Sequence, residues 1–238
     1  NQNFNVLIID EISMMSNETK KKIFYMYPSM KIIMCGDPKY QLPSFTEGTT
    51  PFKCVGFDNI IKYDKNRRCK CPDLQQILTF CRDNIELEGL YHIVKPMIKQ
   101  KISKDNMKQM YKKEDLILCR SNKKKNLYTE MFDEIEKFYI LKTDRKYCKG
   151  EIVFDKPDDN YKLGLHYEIR HGFTTHSIQG ETAKQNLFID DAYMEATAIY
   201  TALSRAEYLK NIYIVNYSDN EENLQEEEFD VDELYAMM

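Results

Sequence analysis

The sequence predicts an α/β fold in which parallel sheets are covered by helices. Two short runs of apolar residues, at 6–9 and 30–35, are too short for buried helices and are typical of strands covered on both faces. Between them, Ser16 can cap an amphipathic helix that Pro28 ends. A strand, a helix and a second strand in this order form a right-handed parallel unit. We therefore expect the polar residues after both strands at one edge of a sheet.

Composition is typical of a soluble globular protein. The chain has 238 residues, of which 42% are hydrophobic and 30% charged. No apolar run approaches the roughly 20 residues of a membrane span, so we expect no membrane partner. The seven cysteines are odd in number and show no paired C-x-x-C. This favours free thiols in a reducing, intracellular compartment, with a zinc site near Cys69 and Cys71 as the alternative.

Charge is distributed unevenly along the chain. The net charge is −4, but residues 219–238 hold nine acids and no Lys or Arg. Residues 1–218 therefore carry 34 basic and 29 acidic side chains, a net of +5. A mildly basic body is typical of proteins that bind a polyanion, and a solvated surface is the alternative interpretation. We expect residues 218–238 to form a disordered acidic tail.

The first predicted strand ends in two carboxylates, Asp10 and Glu11. Open α/β sheets bind ligands at the carboxyl ends of their strands. An acid pair at this position suits nucleotide hydrolysis, because one carboxylate can hold Mg²⁺ and the other can orient or deprotonate a water. An ordinary polar turn is the alternative interpretation. The second strand runs into GDPKYQLP, in which Gly36 permits a sharp turn and Asp37 can anchor the loop. Gln41 offers both a donor and an acceptor to a terminal phosphate.

VLIIDEIS followed by GDPKYQLPSF resembles motifs II and III of superfamily 1 helicases, in the RecD-like branch that includes many viral helicases. The resemblance implies RecA-like sheets, ATP and Mg²⁺ as cofactors, and nucleic acid as the partner. It implies that Asp10 holds the metal, Glu11 orients the attacking water and Gln41 senses the γ-phosphate. It also places Asp37 among the nucleotide-binding residues.

The resemblance continues into a second RecA-like domain. Arg68 matches the motif IV arginine that reaches the γ-phosphate, whereas Arg67 stands where the family has an aromatic residue. Which of the two arginines points inward is open, and two solvated arginines are the alternative. A helix is predicted to follow, from Pro72 to about residue 84. Further on, a buried strand at 116–120 precedes Asn122 and Lys123, which lie where a helix running to about residue 138 begins.

Lys123, with the two lysines after it, could neutralise a phosphate backbone, although a solvated helix end is an equally good interpretation. Residues 85–115 show no chemical signature. The segment at 155–170 is too short for the separate barrel of some relatives, so we expect at most a hairpin there.

Residues 172–190 resemble motif V, with its T-x-H-x-x-Q-G-x-T pattern. The matching residues are Thr174, His176, Gln179, Gly180 and Thr182. By the resemblance, the first three bind a single strand through its backbone, and the last two belong to the nucleotide site. YTALSRA then resembles motif VI, in which Arg205 would be the arginine finger across the ATP cleft. Further strands are expected at 186–189 and 211–215.

The resemblance covers residues 5–215 through motifs II to VI. The sequence has no G-x-x-x-x-G-K-[ST], which in the family lies upstream of motif II. We therefore expect the C-terminal portion of a helicase. Residues 1–63 would belong to the first RecA-like domain and 64–217 to the second, and the isolated portion would be inactive as an ATPase. Replication proteins are possible partners, and DNA is favoured over RNA. The alternative is a non-catalytic nucleic-acid-binding or replication-assembly module derived from a helicase.

Overall fold

The computed structural model describes residues 4–42, 50–63, 66–144, 146–190 and 194–216. The chain divides into two compact units, Asn1–Asn66 and Arg67–Met238. We refer to them as unit 1 and unit 2. The acidic tail predicted at 218–238 lies outside the described residues.

Unit 1 is the predicted strand–helix–strand arrangement. Strand β1 (Val6–Ile9), helix α1 (Asn17–Met26) and strand β2 (Lys31–Met34) follow one another, and the two strands pair in parallel. Ser16 caps α1, because its Oγ accepts a hydrogen bond of 3.1 Å from the backbone N–H of Thr19. The parallel unit expected from the sequence is thus confirmed.

The expected burial of β1 on both faces is wrong. Val6 is 43% exposed and Ile8 67% exposed, whereas Leu7 and Ile9 are half-buried. Successive strand residues point to opposite faces of a sheet, and in the described part of unit 1 only the face of Leu7 and Ile9 is partly covered. No strand is observed at residues 50–63.

The segment after residue 50 is fastened to α1 by a buried lysine. Lys20 Nζ donates hydrogen bonds to the carbonyl oxygens of Lys53 (2.5 Å) and Val55 (3.0 Å). It also lies over the rings of Phe52 and Phe57, at 5.1 and 5.5 Å from their centroids. These contacts replace the water that the ammonium group loses on burial.

Unit 2 contains a parallel sheet, a small antiparallel sheet and flanking helices. Its helices are α2 (Pro72–Asp83), α3 (Leu90–Val94), α4 (Lys104–Met110), α5 (Asn122–Met131) and α6 (Ala196–Leu203). Its strands are β3 (Lys101–Ser103), β4 (Leu116–Cys119), β5 (Phe138–Ile140), β6 (Ile152–Val153), β7 (Tyr167–Ile169), β8 (Gly172–Thr174), β9 (Leu187–Asp190) and β10 (Ile212–Asn216). None of the described helices is long and apolar enough to cross a membrane.

The parallel sheet of unit 2 has the strand order β3-β10-β9-β4-β8. Every residue of β4 and β9 is buried, as their uninterrupted apolar runs predict. One side of the sheet packs against Tyr128 of α5, against Phe132, which follows that helix, and against Met107 of α4. Mixed α/β architecture with a parallel central sheet confirms the predicted fold class.

One local prediction for unit 2 is wrong. Helix α5 ends at Met131 rather than near residue 138, because Phe138 begins β5 and pairs with β6 and β7. The segment at 155–170, expected to hold at most a hairpin, contributes one strand, β7, to a three-stranded sheet whose core is Phe138, Ile140 and Tyr167. Strand β3 lies in the segment that showed no signature, and it is held by pairing with β10.

Candidate functional site

The acid pair of unit 1 lies on a tight turn at the carboxyl end of β1. Glu11 has a left-handed backbone (φ 51°, ψ 47°), and it is the one described non-glycine residue with a positive φ. This conformation costs about 1–2 kcal/mol for a residue with a Cβ, and such strain is common at functional sites. The exposed Asp10 carboxylate accepts a 2.8 Å hydrogen bond from the Glu11 N–H, which stabilises the turn.

The loop after β2 lies directly against this turn. The Ile12 N–H donates to the Cys35 carbonyl oxygen (3.1 Å), which extends the β1–β2 pairing beyond the strands. Gly36 has a φ of 145°, and a Cβ at this position would lie 2.7 Å from the Ile12 nitrogen. Only glycine therefore allows the two loops to approach this closely.

Asp37 and Gln41 are positioned by hydrogen bonds within that second loop. Asp37 Oδ1 accepts from the backbone N–H groups of Lys39 (3.3 Å) and Tyr40 (3.2 Å). The Gln41 side chain reaches the acid-pair loop, where the buried Ser13 Oγ donates to Gln41 Oε1 at 3.5 Å. Ser13 is a positioning residue that the sequence reasoning missed, although it is the serine of the DEIS signature.

The side chains of unit 1 fit a magnesium ion that is also held by phosphate oxygens. Mg²⁺ is usually bound by one or two protein carboxylates, with substrate and water supplying the remaining oxygens. Asp10 and Glu11 are adjacent carboxylates at the carboxyl edge of the strand pair, and Asp10 is exposed. No group of three or more potential metal ligands occurs among the described residues, so a closed structural metal site is not formed there.

In unit 2, the motif V residues form a chain of tight turns after β8. The Thr174 Oγ1 donates to Ser177 Oγ (3.2 Å), and Ser177 Oγ donates to the Thr174 carbonyl oxygen (2.9 Å). Ile178 is fully buried and anchors the turns in the core. His176 is half-buried, and desolvation lowers its pKa to about 4, so its ring is neutral at neutral pH.

The predicted strand-binding residues after β4 lie beside those after β8. The two strands are neighbours, and Cys119 pairs with Thr174 at their carboxyl ends. Asn122 and Lys123 are exposed in the first turn of α5, which Ser121 caps. The structure thus brings the candidate strand-binding residues to one edge of the sheet.

Lys124 is held differently from Lys123. Its Nζ forms an ion pair with the Asp190 carboxylate, which is fully buried at the end of β9 and also accepts a 2.8 Å hydrogen bond from the Tyr128 hydroxyl. This intramolecular partner neutralises one of the three lysines that the sequence placed at the strand-binding edge. The apolar pattern of β9 gave no sign of the partnership, because it needs the β4–β9 pairing to bring Asp190 near α5.

Arg68 rather than Arg67 points into unit 2. Arg67 is exposed, whereas Arg68 is half-buried and donates to the carbonyl oxygens of Ser204 (3.0 Å) and Gly180 (3.4 Å). Arg68 therefore joins the motif IV segment to both motif V and motif VI.

Arg205 is enclosed within unit 2 and is only 1% exposed. Its Nε donates to the Thr201 carbonyl oxygen (3.0 Å), and one terminal nitrogen donates to the Glu181 carbonyl oxygen (3.2 Å). The other terminal nitrogen donates to Ser204 Oγ (2.9 Å). The structure thus brings Arg68, Gly180 and Arg205 together at the end of α6.

Thr182 lies between Glu181 and Ala183, whose backbone groups both bond to Arg205. Together with Leu116 and Phe154 it lines a concavity of about 40 Å³, far smaller than the roughly 300 Å³ of a small ligand pocket. Leu116 is the first residue of β4, so this concavity lies toward the amino end of that strand. The structure therefore places Thr182 beside the backbone contacts of Arg205 and also next to the amino end of β4.

Parallel sheets with flanking helices, carrying polar turns at the carboxyl ends of their strands, define the fold as that of RecA-like helicase domains. Solved structures of Pif1 helicases share this fold. Pif1 from Candida albicans has a TM-score of 0.66 at 15% identity, with 90% of this chain and 72% of that chain covered. Pif1 from Bacteroides, solved with ADP-AlF3 and single-stranded DNA, has a TM-score of 0.64 at 19% identity, with 90% and 71% covered.

A third Pif1 structure concerns unwinding of forked double-stranded DNA by two coordinating helicases. It has a TM-score of 0.62 at 18% identity, with 90% of this chain and 70% of that chain covered. No protein-family profile matches the chain, and no curated protein matches it in sequence. At these identities the likeness establishes the fold.

Proposed function

We propose that the chain is part of an ATP-dependent superfamily 1 helicase or translocase, which couples nucleotide hydrolysis to movement along a single strand and to duplex unwinding. The observation that carries this proposal is the junction of two loops in unit 1. Glu11 and Gln41 lie on loops fastened by the Ser13–Gln41 hydrogen bond and by the close approach at Gly36. An acid, a carboxamide and an exposed Asp10 at one sheet edge suit hydrolysis of a terminal phosphate.

Bound Mg²⁺-ATP would supply the electrophilic γ-phosphate and the metal charge that stabilises its oxygens. Asp10 would hold the metal and Glu11 would orient the attacking water. Gln41 would sense the terminal phosphate, and Asp37 would hold its loop in place. Arg68 and Arg205 in unit 2 would neutralise charge on the transferred phosphoryl group.

The strand would bind at the carboxyl edge of β4 and β8. Thr174, His176 and Gln179 present neutral hydrogen-bonding groups there, and Asn122 and Lys123 add an amide and a positive charge. Contacts of this kind bind the sugar–phosphate backbone with little regard to base sequence. We favour DNA over RNA, which the single-stranded DNA in the Bacteroides Pif1 structure supports.

Membership of the RecD-like or viral branch, and a role in replication with replication proteins as partners, are further parts of the proposal. All seven cysteines are free thiols, which supports a reducing intracellular compartment such as a viral replication site in a host cell.

A second candidate function is a non-catalytic nucleic-acid-binding module derived from a helicase. One observation favours it: the Arg205 guanidinium is enclosed and bonded to its own unit. Hydrolysis of ATP stimulated by single-stranded DNA, measured on the full-length polypeptide, separates the two candidates. The helicase proposal expects stimulation, and the module expects none.

Strand binding is tested by fluorescence anisotropy with several unrelated single-stranded oligonucleotides at two salt concentrations. We expect His176→Ala combined with Gln179→Ala to weaken binding by about tenfold on every sequence, since two hydrogen-bonding side chains are lost. The salt dependence should stay the same, because neutral His176 contributes no charge. In the full-length polypeptide, the same double variant should uncouple hydrolysis from unwinding.

The matched control is Gln76→Ala with His92→Ala, an exposed pair on α2 and α3. If the control and the double variant bind single-stranded oligonucleotides with equal affinity, the turn after β8 does not belong to the strand site. A loss confined to one sequence would indicate base recognition and contradict a general helicase.

A further inference from the structure

Two arginines of unit 2 hold the same short turn. The carbonyl oxygen of Gly180 accepts from Arg68, and that of the next residue, Glu181, accepts from Arg205. Both guanidinium groups also bond to Ser204, one to its carbonyl oxygen and the other to its hydroxyl. The turn that follows the predicted strand-binding residues is thereby fixed to the end of α6.

Backbone contacts reinforce this junction. The Ala183 N–H donates to the Arg205 carbonyl oxygen at 2.8 Å, so Arg205 holds the turn through its main chain as well as its side chain. On the other side, the Lys70 N–H donates to the Glu207 carbonyl oxygen (2.9 Å), and their side chains form an ion pair at 2.7 Å. Segments remote in sequence therefore meet at residues 204–207.

Burial makes the Arg205 contacts strong. A guanidinium stays charged at any ordinary pH, and an enclosed charge has to be compensated by hydrogen bonds. Hydrogen bonds to charged groups stabilise a fold more than neutral ones do. Lysine cannot reproduce the planar fork that reaches Thr201, Glu181 and Ser204 at once.

We infer that Arg205 is a positioning residue for the strand site, because its guanidinium holds the turn at residues 180–181 against the end of α6. We refer to this arrangement as the clasp. The helicase resemblance assigns this arginine to the nucleotide alone. The clasp adds a link from Arg205 to His176 and Gln179, which lie within five residues of the turn. The effect on the strand rests on the proposed function, whereas the clasp does not.

The clasp is tested by hydrogen exchange on the 238-residue chain without nucleotide or nucleic acid. We expect Arg205→Lys to raise exchange at residues 178–183 by about tenfold, the factor for losing one such hydrogen bond, with β4 unchanged. The matched control is Arg67→Lys, because Arg67 is exposed and in the same unit. Unchanged exchange at 178–183 in Arg205→Lys would overturn the clasp.

Arg68→Lys keeps the test decisive should Arg205→Lys fail to fold. Arg68 is only half-buried and bonds to the same turn, so its replacement should raise exchange at 178–183 by a smaller factor, again with β4 unchanged. Exchange equal to that of Arg67→Lys would contradict the clasp.

The link to the strand is tested by affinity for single-stranded DNA without nucleotide. We expect Arg205→Lys to bind about three- to tenfold more weakly, and its effect should not add to that of the His176 and Gln179 double variant, since both act through one turn. Additive effects would overturn the link. No binding by the unaltered chain would instead contradict the proposed function, while the exchange result would still decide the clasp.

Discussion

The two units each contain a four-residue apolar strand, but the two strands differ in how far their side chains are buried. Strands β1 and β4 each consist of four apolar or thiol-bearing residues. In β4 every residue is buried, because β8 and β9 pair with its two edges and helices pack on the sheet. In β1 alternate residues are exposed, because in the described part of unit 1 only the face of Leu7 and Ile9 is partly covered. An apolar run therefore indicates what a strand is able to bury, and its neighbours determine what it does bury.

The candidate site residues differ in the same way. In unit 1 the acid pair is set by the backbone, through the left-handed Glu11 and the close approach at Gly36. In unit 2 the candidate residues are set by side chains, through the bonds from Arg68 and Arg205 to carbonyl oxygens. We therefore expect conservative side-chain changes in unit 1 to affect chemistry and those in unit 2 to affect local structure.

The largest expected effect is on turnover in the full-length polypeptide. Glu11→Gln keeps the size of the side chain but removes the carboxylate that orients water, so kcat should fall by about 10²–10⁴-fold. Asp58→Asn, an exposed acid of the same unit, is the control and should leave kcat unchanged. Undiminished turnover in Glu11→Gln would show that Glu11 is only the polar end of β1.

The 238 residues alone should hydrolyse ATP at close to background.

The next effect concerns stability and compares the two sheets directly. Leu118→Ala in β4 should lower the free energy of unfolding by about 2–5 kcal/mol, since Leu118 is fully buried. Ile8→Ala in β1 should change it by less than about 0.5 kcal/mol, since Ile8 is largely exposed. Urea unfolding followed by circular dichroism measures both. Equal losses would mean that the exposed face of β1 is covered in solution.

A smaller effect, seen in the pH dependence of stability, comes from a lysine buried in unit 2. Lys137 Nζ contacts the Tyr111 hydroxyl (3.2 Å) and the Asp115 carbonyl oxygen. Burial lowers its pKa to about 7, although the nearby Asp115 and Glu114 carboxylates act to raise it. The unfolded chain therefore binds one more proton than the folded chain between pH 7 and about 10.

It follows that Lys137 costs stability progressively as pH falls from about 10 towards 7. The quantity to measure is the free energy of unfolding of the unaltered chain minus that of Lys137→Met. This difference should rise by about 1 kcal/mol between pH 8 and pH 9. Lys20→Met in unit 1 is the comparison, because burial lowers the pKa of Lys20 also, but by less. A difference independent of pH would show that Lys137 is protonated when folded.

Much of the fold is predictable because most of the strands in the parallel sheets have recognisable sequence patterns. Strands β1, β2, β4, β9 and β10 are recognisable as apolar runs ending in polar residues. Strand β3 has a single apolar residue, Ile102, and exists because β10 offers it an edge. The end of α5 was misplaced because residues 132–138 suit a helix locally, and the small sheet places Phe138 in a strand.

The candidate site was predictable where its residues are recognisable by their side-chain type and position in the sequence. Asp10 and Glu11 follow the end of β1 and Gln41 lies on the loop after β2, at the sheet edge where the sequence placed them together. The partners of Arg205 are largely backbone carbonyl oxygens, which every residue carries, so no sequence pattern distinguishes them. The Lys124–Asp190 ion pair joins residues 66 positions apart and depends on the order of strands in the sheet.

The position of β3 has a consequence for synthesis on the ribosome. Lys101 pairs with Ile214, so about 110 residues must emerge after β3 before its partner is available. At about 5–20 residues per second, the nascent chain waits some 5–20 s with β3 unpaired. Until β10 arrives, the edge of β9 is open as well, and such edges are where nascent chains associate with one another. Slow codons within this stretch would prolong that exposure, and a chaperone that holds the β9 edge would shorten it.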